Sequence, residues 1–201
     1  MSEKESKKSK TKISKDEIAA LPLFSFSGLL AVVTEPREVS SVLEEIRACQ
    51  VVGFDTETRP NFVSGQQNRV SLLQLALPEK VFLIRLNSTG LTKEIIEILS
   101  SETLLKAGVG VRDDIKALQR LGDFTPQGVV ELSTLAKRAG LEAEGVRSLA
   151  GLLLGFRISK AAKTSNWAAR TLDQKQISYA ATDAWASLRI YQELTKILSA
   201  S

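Results

Sequence analysis

The chain of 201 residues contains no histidine and a single cysteine, Cys49. Without histidine, Ser-His-Asp and Cys-His nucleophile systems are excluded, as are His-ligated zinc and haem. A lone cysteine can form no intramolecular disulfide, so a reducing compartment and a cytoplasmic location are expected. Nor does any run reach the roughly 18 clean apolar residues of a membrane span. The apolar stretch 20–33 follows a basic start, but Pro22, Ser25, Ser27 and Gly28 interrupt it and no small-x-small cleavage site follows. It therefore reads as an early edge strand over 28–33 rather than a secretion signal. Any metal site in such a chain must be built from carboxylates and other oxygens, which favours Mg²⁺, Mn²⁺ or Ca²⁺.

What is present is the composition of a folded domain: 43% apolar and 25% charged residues, with 12 Gly and 5 Pro. The length suits one well-packed domain. The net charge of +4 is uneven, because residues 1–16 hold six lysines against Glu3, Glu5 and Asp16. Residues 1–16 thus read as a disordered basic tail, either solvated or touching nucleic acid through its phosphates, and 17–201 as the domain.

Hydrophobic periodicity predicts a helix over 35–48 and a doubly covered strand at VVGFDTET (51–58). RVSLLQLAL (69–77) and VFLIRL (81–86) read as an antiparallel hairpin. Helix 91–100, strand 103–109, helix 112–121, strand 128–132, helix 133–139 and helix 146–154 follow, and a long helix runs from about Thr171 to Leu198. A hairpin followed by alternating helices and strands implies an α/β fold, a mixed sheet with helices on both faces.

Acids punctuate this pattern. Asp55 and Glu57 stand two apart at the carboxyl end of a strand, so both point to one face. Ligands of open α/β sheets collect at that end. Side by side the two carboxylates repel; either solvent or a divalent cation must resolve the conflict. In RDDIKAL, Asp114 lies about 40° from the centre of the helix's apolar face and Asp113 about 140° from it. Asp114 therefore aims at the sheet, as a ligand or as a helix cap. Tyr179 and Asp183 in SYAATDA share one helix face, in a stripe without Lys or Arg. A carboxylate there must be protonated, solvated in a cleft or bound to metal, while the tyrosine fits a core role as well. Glu131 suits a helix cap. The GVG of 108–110 lacks the spacing of a phosphate loop and reads as a tight turn. Lys160, Lys163 and Asn166 lie in an aperiodic stretch, a plain surface loop or one that holds phosphate.

Taken in order, FDTET, GVGVRDDIKAL and NWAARTLDQKQISYAATDA resemble the three motifs of the DEDDy 3′–5′ exonucleases, the family of ribonuclease D and of the Werner syndrome exonuclease domain. The resemblance covers about residues 30–198. It implies a ribonuclease H-like fold and two divalent cations, Mg²⁺ or Mn²⁺, held by Asp55, Glu57 and Asp183, with Asp114 reaching the second ion through water. It further implies that Tyr179 positions the attacking water or helps to deprotonate it, and that Glu57 and the backbone beside Thr56 receive the terminal 3′ hydroxyl. The implied reaction removes nucleoside 5′-monophosphates from the 3′ end of DNA or RNA. A nucleic-acid-binding module that kept the fold and lost turnover is the alternative. A Rossmann-type domain is opposed by the missing glycine fingerprint.

Overall fold

The computed structural model describes residues 10–59 and 68–200. Its centre is the strand β3 (Val51–Thr58), whose VVGF start alternates toward two apolar layers. The hairpin appears as β4 (Val70–Ala76) and β5 (Lys80–Ile84), antiparallel to each other, with β4 antiparallel to β3. On the far side of β5 lies β2 (Leu29–Val33), the expected edge strand, pairing in parallel. On the other side β3 is followed by the parallel strands β6 (Leu105–Gly108) and β7 (Val129–Glu131). The sheet order is β2-β5-β4-β3-β6-β7, mixed as the alternation of elements implied.

One face of the sheet is covered by α2 (Pro36–Arg47), α4 (Lys93–Leu99) and α5 (Val111–Gln119). Val39, Leu43 and Ile46 of α2 meet Val52, Phe54, Leu73 and Leu75 there, with Ile95, Ile98, Val111 and Leu118 from the other two helices. The opposite face carries the longest helix, α8 (Gln174–Ser199), whose Ala180, Ala181 and Ala184 pack on Leu72, Ala76, Val81 and Leu83. Small side chains let this helix lie close, and Gly53 makes the approach closest. A Cβ at Gly53 would sit 2.0 Å from the Ala184 carbonyl oxygen. The helix backbone therefore rests directly on β3.

Several boundaries differ from the periodicity. The long helix begins at Gln174 rather than near Thr171, because Asp173 is the better cap: its carboxylate accepts from the Gln176 amide at 2.8 Å and the Gln176 side chain accepts from the Asp173 amide at 3.0 Å. The stretch 146–154 divides into α7 (Val146–Leu149) and a π-helical turn, Ala150–Leu154. A short helix, α3 (Leu86–Thr89), precedes α4, and α6 (Leu132–Arg138) follows β7. The tail boundary at residue 16 also moves. Ser14 caps a helix, α1 (Lys15–Ala20), and the Glu142 amide donates to the Thr11 carbonyl at 2.8 Å, so 10–16 are folded onto the domain. Residues 1–9 of the expected tail lie outside the described residues. Beyond α1, β1 (Leu23–Phe24) pairs in parallel with β8 (Arg157–Ile158) as a separate two-stranded sheet. Among the described residues, no helix is long and apolar enough to cross a membrane.

Candidate active site

The parallel ladder between β3 and β6 ends at Gly53 opposite Ala107. Beyond that point β3 continues alone on this side, and a cleft opens at the carboxyl ends of both strands. Asp55 and Glu57 follow Gly53 at intervals of two, so they project from the face that α8 covers. Asp183 precedes Ala184, the residue whose carbonyl touches Gly53, and is 5% exposed. Tyr179 stands one turn earlier on α8. Asp55, Glu57, Tyr179 and Asp183 thereby line one cleft of about 910 Å³.

Asp114 enters from the other face of the sheet. The loop after β6 turns at Gly110, which has a φ of 76° that disfavours any side chain, and α5 begins at once. Glu131 holds this turn: its carboxylate accepts from the amides of Gly110 at 3.2 Å and Val111 at 3.1 Å, and from Ser133 at the start of α6. The expected cap thus serves two helices. Asp113 is exposed and meets Lys116 at 4.0 Å, whereas Asp114 is half-buried. The Thr56 hydroxyl donates to Asp114 Oδ1 at 2.6 Å. Thr56 therefore holds Asp114 from the position between Asp55 and Glu57 on the strand.

The electrostatics are those of crowded, unneutralised acids. Burial and then the Asp183, Glu57 and Asp114 charges hold the Asp55 carboxyl well above the usual range. Burial, then Asp183 and Asp114, push Glu57 up to about 9. Burial outweighs the Thr56 hydrogen bond and, with the Asp113 and Glu131 charges, raises Asp114 to about 6. Asp183 rises to about 6 by burial, against the Tyr179 hydroxyl and the charges of Arg147 and Lys163. Burial and the same carboxylates push the Tyr179 phenol far up, so it stays protonated. None of the four acids forms an ion pair among the described residues.

Among the described residues no three acids or thiols are drawn into a ready-made coordination cluster. With no cation between them, adjacent buried carboxyls lower their repulsion by keeping protons. The donor set nevertheless suits one. It is all oxygen, as hard cations require, and Asp183 Oδ1 is buried without a hydrogen-bond partner. Gln74, directly across the ladder from Asp55 and fully buried, likewise has neither amide atom partnered.

Lys163 is exposed, lines the cleft and lowers Glu57 and Asp183. Asn166 does not line the cleft; its carbonyl accepts from the Gln176 side chain at 3.3 Å. The structure adds cleft residues that no spacing announced, Lys15, Arg147 and Arg157, and brings Lys160 of the expected loop beside Lys163 in the same lining. The two arginines are held by backbone carbonyls, Arg147 by Ile158 at 3.1 Å and Arg157 by Leu21 at 3.0 Å.

The fold and this constellation have counterparts among known proteins. A family model described as 3′–5′ exonuclease matches residues 30–199. The bifunctional 3′–5′ exonuclease/ATP-dependent helicase WRN of Mus musculus is 34% identical over 185 residues, which cover 87% of this chain and 13% of that protein. This chain thus spans about an eighth of that relative's length. Among solved structures, the Nibbler EXO domain of Aedes aegypti superposes with a TM-score of 0.77 at 24% identity, covering 85% of this chain and 89% of that one. Escherichia coli RNase D, an exoribonuclease, gives the same TM-score and identity, covering 85% of this chain and 45% of its own. The architecture is ribonuclease H-like, and the chain belongs to the 3′–5′ exonuclease domain family.

Proposed function

We propose that this chain hydrolyses phosphodiester bonds one nucleotide at a time from the 3′ end of a nucleic acid, releasing nucleoside 5′-monophosphates. One observation carries the reading: Asp55, Glu57 and Asp183 line one cleft, Asp114 acts on Asp55 from the far side of the strand, none of the four has an ion-pair partner among the described residues, and Asp183 Oδ1 is buried and unsatisfied. Asp55, Glu57 and Asp183 would hold two divalent cations, Mg²⁺ or Mn²⁺, with Asp114 reaching the second through water. When bound, such cations supply Lewis acidity at the phosphate, lower the pKa of bound water and offset charge on the leaving oxygen.

The chain's own groups have distinct parts in this proposal. Thr56 sets the orientation of Asp114 by its hydroxyl. The protonated phenol of Tyr179, beside Asp183, orients the attacking water by hydrogen bonding and, keeping its own proton, does not serve as base. Glu57 takes the terminal 3′ hydroxyl. Arg147 and Lys163, whose charges already act on Asp183, face the incoming phosphate.

A 5′-labelled oligonucleotide, offered as DNA and as RNA, should shorten in single-nucleotide steps only when Mg²⁺ or Mn²⁺ is added. Asp55→Ala or Asp183→Ala should abolish the ladder in folded protein, and Tyr179→Phe should slow it less. Release of the label first, as a mononucleotide, would establish the opposite polarity and overturn the proposal. Binding without any shortening would make the chain a nucleic-acid-binding module.

A further inference from the structure

The exonuclease family match starts at residue 30, yet part of the cleft wall comes from before it. Lys15, Ile18 and Ala19 of α1 line the same cleft as Asp55, Glu57, Tyr179 and Asp183. This N-terminal segment is fastened at several points. Ser14 and Glu17 cap α1 reciprocally, at 3.2 Å and 2.8 Å. Lys10 pairs with Glu17, and Lys12 with Glu142 at 3.7 Å. Ile13, Ile18 and Leu21 close over Gly151, whose Cβ would meet each of them at 3.2–3.3 Å. The Pro22 carbonyl accepts from the Arg157 amide at 2.9 Å, opening the β1–β8 pair, and the Phe24 ring stacks on Phe156 at 4.4 Å. So anchored, the segment presents Lys15 to the cleft at a fixed place.

The cleft's cations fall into two groups. Arg147 and Lys163 act on the acids themselves. Lys15 exerts no comparable pull on them and forms no ion pair among the described residues. It is an exposed charge at the cleft wall with no counter-ion among the described residues. A strand whose last phosphodiester reaches the acids has only one nucleotide beyond the scissile bond. Its remaining phosphates must leave along the cleft wall.

We infer that Lys15, outside the family-matched region, is a positioning contact for the sugar–phosphate backbone on the 5′ side of the scissile bond. The inference rests on the exonuclease reading for which bond is cut, but its test does not need turnover. The probe is a 5′-fluorescein single-stranded 12-mer, as DNA and as RNA, bound to the full chain with Ca²⁺ in place of Mg²⁺ and followed by anisotropy across a salt series. Each phosphate contact to a single strand contributes about −0.7 to the slope of log K against log salt. Lys15→Ala should flatten that slope by about 0.7 and weaken binding several-fold, while Lys15→Arg restores both. Lys93→Ala, which removes an exposed lysine outside the cleft, should change neither. In turnover with Mg²⁺, Lys15→Ala should raise KM and leave kcat unchanged. An unchanged slope in Lys15→Ala, or an equal loss in Lys93→Ala, overturns the inference even if the ladder is normal. A Lys15-dependent slope in a protein that yields no ladder upholds it and removes the exonuclease reading instead.

Discussion

Thr56 has a local sequence role as the middle residue of a strand motif and a tertiary role that the motif does not state. Strand alternation puts its side chain on the face opposite Asp55 and Glu57. From there its hydroxyl reaches Asp114 at 2.6 Å, a charge-assisted bond that locks one carboxylate rotamer. Thr56→Val keeps the shape and removes the donor. Hydrogen bonds to charged groups are worth about 1.5–3 kcal/mol. With that bond gone Asp114 loses its fixed position, so kcat should fall by about 10- to 100-fold, and the melting temperature should drop by several degrees. Steady-state kinetics and a thermal melt on the same sample check both halves. At this scale the sequence was most legible: Asp114 was separated from Asp113 by helical phase alone, and the structure leaves Asp113 exposed while burying half of Asp114. Asn166 was less legible, because an aperiodic loop carries no periodicity from which to derive a direction.

Elements are brought together by close packing, and α8 on β3 is the decisive contact. Ala180, Ala181 and Ala184 supply a smooth helix face, and Gly53 supplies the recess. Gly53→Ala places a methyl 2.0 Å from the Ala184 carbonyl, a backbone atom that cannot rotate away. Overpacking of this kind costs about 1–3 kcal/mol, occasionally more. The helix must lift, and Asp183 lifts with it. The expected outcome is a lower melting temperature together with loss of Mn²⁺ binding in titration calorimetry. Calorimetry showing parental affinity in a destabilised variant would separate the helix seat from the site. The strands of the main sheet were legible because apolar runs and alternation depend on near neighbours. The π-helical turn after α7 and the β1–β8 pair were not. Both answer to partners far along the chain, such as Leu21, Ile13 and Ile18 over Gly151.

Across the whole molecule, the acids set a conflict between stability and function. Folded-state pKa values of about 9 for Glu57 and about 6 for Asp114 and Asp183, with Asp55 also raised, mean that the native state favours their neutral forms. Their contribution to stability is fully present below the unfolded-state values near 4. It falls as pH rises through about 6 and continues to fall toward 9. In EDTA, the melting temperature relative to that of Asp183→Asn should therefore decline from pH 5 to pH 9. Adding Mg²⁺ or Mn²⁺ should raise it, more at pH 8 than at pH 5, because bound cations favour the ionised carboxylates. Differential scanning fluorimetry over that range tests the sign directly. A melting temperature that climbs with pH in EDTA relative to the variant would contradict the buried, unpaired state of these acids.

The sequence by itself determined the alternation of elements and which acids share a face of their element. Both follow from periods of 2 and 3.6 residues acting within a single element, and the absence of histidine restricted the metal chemistry to oxygen donors. Only the tertiary structure decided that the Thr56 hydroxyl meets Asp114, that Glu131 caps two helices, and that α1 brings Lys15 to the cleft. Those contacts join residues distant in sequence through packing and backbone hydrogen bonds. No local pattern encodes such a meeting, because it depends on the volume and position of every layer between the partners.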